Sequence, residues 1–498
     1  MPMQRDRQTT GTNWDKRLER TSDRFWRAIW PKHAFDQARY RMAYDAIDGM
    51  RTRTKRTNTG GTGDKHLTDS SLDGLREIQR DMMRNNPLVE GLLLLELDEI
   101  VGEEYPKIQA LTADEGWNKE AEASWKEELV KTPCDVTGRF NVNQLIGLAF
   151  LSYRRDGDHF LIFTDDGIQS VEGDCVGTPF NLRGASFTIT NGLAFSNQTG
   201  KFLGCYVGRP RPGGYYIDPS SYHRYEAAEI HHIFSPQRTS QSRGEPALKS
   251  AITKIDQLDR YVDAELVAAN VQACFSVFVS VKDSGKIPSP YVKGIYSSGE
   301  DPDGNKMEKL EPGSIHYGNP NEEPHPIGMN RPTAVFDAYV TRMLSFITAP
   351  MAIPIMMALG DYSSATFMNA RFAYMRAQSR WRREQAWSIA PLASRIWRWH
   401  VDRMVARGVL TEQPDQYIHS VQCRRWPYVD PRVEAESETK QLENGTGTRR
   451  EFIEARGKDY DEILEQRARE KTDFSVEEKP TDGKQPADVK KETTNATD

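Results

Sequence analysis

The chain of 498 residues lacks an uninterrupted apolar run of about 18 residues, the length a helix needs to cross a bilayer. The closest stretch, Met343–Leu359, is broken by Thr348, Pro350 and Pro354, so no membrane association is expected. The opening MPMQRDRQTT has no apolar core, so no secretory signal is expected either. Cysteine is scarce, with five residues at 134, 175, 205, 274 and 423 and no C-x-x-C. That spacing suggests neither a zinc ribbon nor a disulfide framework. Asn-x-Thr triplets at Asn197, Asn444 and Asn495 then read as chance.

Catalytic signatures are missing too. There is no G-x-x-x-x-G-K-[ST]; Gly60-Gly61-Thr62-Gly63-Asp64-Lys65 is glycine-rich but wrongly spaced, which argues against a motor ATPase. There is no G-x-S-x-G and no H-E-x-x-H. His231 and His232 are adjacent, so on a strand they point to opposite faces and do not share a metal. Asp301–Asn305 resembles a calcium loop, but its twelfth position is Pro312 rather than Glu. It reads as a turn, as does Asp165-Asp166-Gly167. No cofactor or metal site is expected.

What is present is uneven charge. The formal net charge is −6. Residues 1–56 carry 14 Lys+Arg against 7 Asp+Glu, and the remainder is strongly acidic. The basic arm holds Trp14, Phe25, Trp26, Trp30, Phe35, Tyr40 and Tyr44 and runs into RTRTKRTNTGGTGDK, a linker composition. Two readings of the arm stand: a solvated, partly helical extension, or a contact for nucleic acid or an acidic partner. Thr472–Asp498 is polar and poor in aromatics, and disorder is expected there.

Between these ends, apolar periodicity predicts a helix from an Asp69 or Ser70 cap to about Asn85, a break at Asn85-Asn86-Pro87, a buried helix Leu88–Ile100 and a helix Glu115–Val130. Residues 150–235 read as mostly antiparallel strands, including Phe160–Thr164 and the Asn191-Gly192 hairpin. Ala247–Phe275 steps by three and four, predicting one long helix. Ser276–Pro332 is Pro- and Gly-rich with short strands. Thr333–Thr348 is helical, and Ser363–Met404 is helical with a kink or break at Pro391. Within that last helix lie Arg371, Arg376, Arg380, Arg382, Arg383, Arg395, Arg398 and Arg403 beside Trp381, Trp387, Trp397 and Trp399. Phosphate contact and ion pairing between helices or subunits both fit.

Several segments in order resemble the portal proteins of tailed bacteriophages, lambda family. They are Arg84-Asn85-Asn86-Pro87 with its following helix, Glu120–Trp125 leading to Cys134-Asp135-Val136, and Arg155-Asp156-Gly157-Asp158 before a strand. Then come Glu229–Phe234 leading to Arg243-Gly244-Glu245-Pro246, Leu310-Glu311-Pro312-Gly313, Gly360-Asp361-Tyr362-Ser363-Ser364 before Asn369-Ala370-Arg371, Gly447-Thr448-Arg449-Arg450, and Glu465-Gln466-Arg467-Ala468. The resemblance covers about residues 67–471.

It implies an α+β, predominantly helical, elongated portal-type subunit. Its parts would be an arm and linker (1–66), an α/β wing (67–246), stem helices (247–275 and 333–348), a small β-containing clip (276–332) and a tunnel loop (349–363). A long kinked helix returning to the wing (364–445), a crown helix (446–471) and a disordered tail (472–498) complete it. It implies a ring, a 12-mer, at a capsid vertex, passing double-stranded DNA during packaging and ejection. Expected partners are the terminase large subunit, the major capsid and scaffold proteins, and a head-completion or adaptor protein. Assembly in the host cytoplasm is expected. Met351, Ile353, Ile355, Met356, Met357, Asp361 and Tyr362 would belong to the tunnel loop. Arg371, Arg376, Arg380, Arg382 and Arg383 would touch DNA or a neighbouring subunit. The loop is more apolar than the family's usual pattern. The competing readings are a phage enzyme, a nuclease or head-maturation protease, and a small DNA-binding module using the arm.

Overall fold

The structure, a computed structural model, describes residues 63–65, 67–102, 106–179, 186–209, 217, 221–274, 277–279, 299–300, 306–307, 315–317, 336–363, 365–426, 431–456, 460, 463–464 and 466–468. The arm, most of the clip, the Asp301 turn and the tail therefore lie outside the described residues. The chain divides into two compact units, residues 1–421 and 422–498.

The first unit opens with helix α1 (Asp69–Asn85). Thr68 is its N-cap, one residue before the expected Asp69 or Ser70, and Thr68 N–H donates to Ser71 Oγ at 2.9 Å. Asn86, forced into extended backbone by Pro87, ends α1. Its side chain then accepts from Leu88 N–H (3.0 Å) and Val89 N–H (3.1 Å), so one residue closes α1 and caps α2 (Pro87–Ile100). Strand β1 (Lys107–Ala110) follows. In α3 (Glu115–Trp125), Trp117, Ala121 and Trp125 are buried as their spacing predicts. The expected continuation to Val130 is a wider, π-type turn at Lys126–Val130.

Helix α4 (Val142–Asp156) was not expected from the sequence pattern. It begins with a capping box: Gln144 N–H donates to Asn141 Oδ1 (2.9 Å) and Asn141 N–H to Gln144 Oε1 (3.1 Å).

Strands then dominate, as expected. β2 (Asp158–Phe163), β3 (Ile168–Glu172), β4 (Phe187–Thr190), β5 (Leu193–Ser196), β6 (Phe202–Val207), β7 (His223–Glu226) and β8 (Ile230–Phe234) form two antiparallel sheets, ordered β3-β2-β8 and β4-β5-β6-β7. Asn191 (φ 50°) and Gly192 (φ 80°) turn β4 into β5, the paired positive angles that fit strand twist. Asp165-Asp166-Gly167 is the β2–β3 turn, with Thr164 N–H on Gly167 O at 3.1 Å. Phe160, Ile162, Val171, Val176, Leu193, Cys205, Val207 and Ile230 form a core spanning both sheets.

Helix α5 (Ile252–Cys274) is shorter than expected because residues 247–251 form turns. Among the described clip residues, β9 (Val277–Val279) pairs in parallel with β12 (Ile315–Tyr317), and β10 (Gly299–Glu300) pairs with β11 (Lys306–Met307). Helix α6 (Phe336–Thr348) returns beside α5, where Tyr261 stacks on Phe336 (centroids 5.8 Å) and meets Tyr339 (4.7 Å). A second core joins α2 (Val89, Leu92, Leu93), α5 (Ile255, Leu258) and α6 (Met343, Leu344, Ile347).

After a short helix α7 (Ile355–Leu359), α8 (Phe367–Glu384) continues through a π turn, Gln385–Ile389, into α9 (Ala390–Ala406). The break expected at Pro391 takes this form. Proline supplies no N–H and crowds the carbonyl four residues back, and the widened turn before it absorbs the defect. The unit ends near strand β13 (His419–Gln422). In the second unit, α10 (Pro431–Glu443) and α11 (Arg449–Ala455) are joined by Arg456 on Glu438 at 2.5 Å. The fold is α+β and predominantly helical, as expected.

Candidate functional site

The segment between α6 and α8 is built in two layers. Ala349–Met351 makes one 3₁₀ turn, Ala352 adopts a left-handed angle (φ 56°), and α7 ends at Gly360 (φ 64°). These reversals send alternate residues inward. Met351 is 0% exposed and Ile353 is also buried, both in the core with α2, α5 and α6. Ile355 and Met357 are half-buried against that core, and Met356 is half-buried. Leu359, Asp361 and Tyr362 are exposed. Asp361 Oδ1 accepts from Ser363 N–H at 2.9 Å. Its hydrogen bonds with Ser363 hold the carboxyl below its ordinary range. The seven expected loop residues thus separate into a buried pair, Met351 and Ile353, a half-buried middle, Ile355, Met356 and Met357, and an exposed pair, Asp361 and Tyr362.

The arginine-rich helix separates as well. Beyond the π turn, Arg395 donates to Ala228 O and lies over Phe163 (4.7 Å), and Arg403 lies over Trp399 (5.3 Å). Trp387 and Trp399 donate their indole N–H to Phe234 O (3.0 Å) and Thr164 O (3.2 Å). Arg395, Trp387 and Trp399 fasten the helix to the β2–β8 sheet of the same chain. Before the π turn, Arg380 pairs with buried Glu384 (2.9 Å). Arg371 is half-buried, and Arg376, Arg382 and Arg383 are exposed. Interleaved with them are exposed Phe367, Met368, Phe372 and Met375, with Phe372 at 64%. Trp381 and Trp397 are fully buried, so neither offers a face to an outside ligand.

A third feature escaped sequence reasoning. Asp158, fully buried, receives Arg76 (2.9 Å), Arg243 and His232 (3.4 Å). Arg243 also donates to the carbonyls of Val176 (3.0 Å), Asn191 (2.9 Å) and Gly173 (2.7 Å). Burial alone would raise the Asp158 pKa, but Arg243 and Arg76 outweigh it and hold the carboxyl well below its ordinary range. Nearby, Arg154 binds Glu96 through two hydrogen bonds (2.7 and 2.8 Å), and Tyr153 donates to Glu384 (3.1 Å). The segments 155–158 and 243–246 meet here. A Cβ on Gly244 would sit 1.8 Å from Gly157 O, and one on Gly157 would sit 2.7 Å from the Glu245 backbone. His232 stacks between Phe160 (4.2 Å) and Phe234 (4.3 Å), a packing role. Among the described residues no group of three or more His, Cys, Asp or Glu could hold a metal. Among them also no helix is long and apolar enough to cross a membrane.

The family model described as phage portal protein, lambda family, matches residues 50–385, well over half of the chain. The chain belongs to the lambda family of phage portal proteins. A portal relative, the "Probable portal protein" of Halomonas phage phiHAP-1, is 20% identical over 432 residues, covering 83% of this chain and 82% of the relative. Among solved structures, a chain from the neck of an empty GTA particle covers 77% of this chain and 93% of its own length, at 13% identity and a TM-score of 0.42. Another, from the neck of a native GTA particle, covers 76% and 93%, at 13% identity and a TM-score of 0.38. The portal assignment rests on the family and the phage relative. It places the buried Asp158 network, the loop tip and the exposed α8 face on one portal chain.

Proposed function

We propose that the chain forms a dodecameric ring at one capsid vertex, the channel through which double-stranded DNA is packaged and ejected. The ring docks the terminase large subunit, then a head-completion or adaptor protein, and meets the major capsid and scaffold proteins during assembly in the host cytoplasm. In this reading residues 67–246 are the wing, α5 and α6 the stem, 276–332 the clip, 349–363 the tunnel loop, 364–445 the helix returning to the wing and 446–471 the crown. The role is structural.

Beyond family membership, one observation carries the reading. The helices from α5 to α8 leave large apolar side chains in solvent, including Leu266, Phe346, Phe367 and Phe372, alongside well-filled cores. Exposed large apolar side chains that gather into a patch mark a protein contact. The DNA-facing part of the loop is its exposed tip, Asp361 and Tyr362, with Met356 before it in the chain. Met351 and Ile353 anchor the tip. A polyanion slides past an apolar and acidic lining, whereas an arginine ring would hold it in a salt-dependent grip.

Negative-stain electron microscopy of the purified protein should show rings with an axial hole. A homogeneous monomer with hydrolytic activity would overturn the reading. Met356→Ala with Met357→Ala should impair DNA packaging or retention. Unchanged particles would remove the loop assignment.

A further inference from the structure

Two exposed helix faces of this chain are opposite in charge and alike in being apolar. On α8, Phe372 and Met375 stand in solvent beside Arg376 and Arg383. The helix carries five arginines against Glu384 alone, and that glutamate is taken up by Arg380. On α5, Val262, Leu266 and Val267 stand in solvent, Leu266 at 60%, beside exposed Asp259 and Asp263 one turn apart. Arg260 on that helix is already paired with Asp256 at 2.9 Å, so Asp259 and Asp263 set the sign of the face. A groove of about 430 Å³, lined by Leu88, Leu258, Asp259, Val262, Asp263 and Leu344 among others, opens there. Its buried members, Leu258 and Leu344, are apolar, and Asp259 and Asp263 are exposed; Asn85 and Asn86 also line it, and Asn86 Nδ2 donates to Asp259 Oδ2 at 2.7 Å.

We infer that α8 of one copy docks on the α5 groove of the next, with Phe372 and Met375 against its apolar residues and Arg376 and Arg383 facing Asp259 and Asp263. The inference rests on the ring reading and adds which surfaces meet. A head-to-tail contact uses two different patches on each chain, and repeating it closes a ring. One such contact covers both exposed faces at once. Opposite charges at its edge fix register and suppress other pairings. The large apolar side chains between the arginines favour a protein surface over DNA, whose phosphates are met by charged and polar groups.

The test is a charge swap in the full-length chain. One variant carries Arg376→Glu and Arg383→Glu, and the other carries Asp259→Lys and Asp263→Lys. Each alone should lower the ring fraction by about tenfold or more, read by light scattering and electron microscopy. Far-ultraviolet circular dichroism checks that each is folded. Mixed in equal amounts, the two should recover rings, because every junction then pairs opposite charges and the copies alternate. Rings from either variant alone would overturn the pairing and leave the ring reading intact. Folded variants that stay apart after mixing would also overturn it. Rings of the α8 variant that fail only to retain DNA would assign those arginines to DNA instead. A wild-type chain that never forms rings would sink the ring reading itself.

Discussion

Two arginine-rich regions of this chain are built in opposite ways. Around Asp158 the guanidinium groups of Arg76 and Arg243 are buried, and each meets a carboxylate or a carbonyl of the same chain. Along α8, Arg376 and Arg383 stand in solvent among exposed Phe and Met. A buried charge is tolerated only where the fold already supplies its partners, so the first region is finished within one chain. Among the described residues the exposed Phe and Met beside Arg376 and Arg383 have no such cover, so in the proposed ring the second region is completed by the neighbouring copy. The contrast predicts that mutations in the first region change stability and mutations in the second change oligomeric state.

The largest effect should come from Arg243→Ala. It removes a guanidinium from Asp158 and from three carbonyls, and breaking a buried pair costs about 3–5 kcal/mol. Denaturant unfolding of a dilute, dissociated sample would measure it. A loss under about 1 kcal/mol would break the comparison. Gly157→Ala should follow. Its φ of 97° and the 2.7 Å approach of a Cβ to Glu245 combine backbone strain with a clash, for about 2–4 kcal/mol.

Acid should act next, through histidines on strands β2 and β8. Burial lowers the pKa of His159 and His231 to about 4. An imidazole whose folded pKa lies below its unfolded value of about 6.5 takes up its proton first in the unfolded chain. Stability is therefore highest above pH 6.5 and falls as pH drops toward 4, by at most about 2 kcal/mol per histidine at pH 5. His231→Phe should flatten the slope between pH 6.5 and 5 in thermal melts; an unchanged slope would remove that histidine from the account.

Much of the fold was legible because it is local. The Asn85-Asn86-Pro87 break, the tryptophan spacing of α3 and the Asn191-Gly192 turn each depend on residues a few positions apart. Helix α4 shows the limit. Its Asn141–Gln144 box and its apolar Val142, Leu145, Ile146, Ala149 and Phe150 run straight into strand β2, and one apolar run concealed the change of period. The loop between α6 and α8 was less legible, because Ala352 in a left-handed angle resets which residues face inward, and no periodicity records that. The Asp158 network was invisible. Its partners are 82 and 85 residues away, and a lone charged residue reads as surface. Pro391 marked where the long helix would be disturbed, but not that a π turn would let it continue.

The smallest expected change in stability is the sharpest test of the contrast. Phe372→Ser and Met375→Ser remove apolar side chains that are already in solvent within one chain. Substitutions at exposed sites away from caps and networks shift stability by about 0.5 kcal/mol or less. The dissociated chain should therefore unfold at nearly the denaturant midpoint of the wild type, while rings are lost because an interface core is emptied. A large loss of monomer stability would mean that α8 packs against its own chain, and the two regions would then not differ in kind. Unchanged stability with unchanged rings would leave the exposed face without a use, and the division between a finished and an unfinished half of the subunit would fail at its second half.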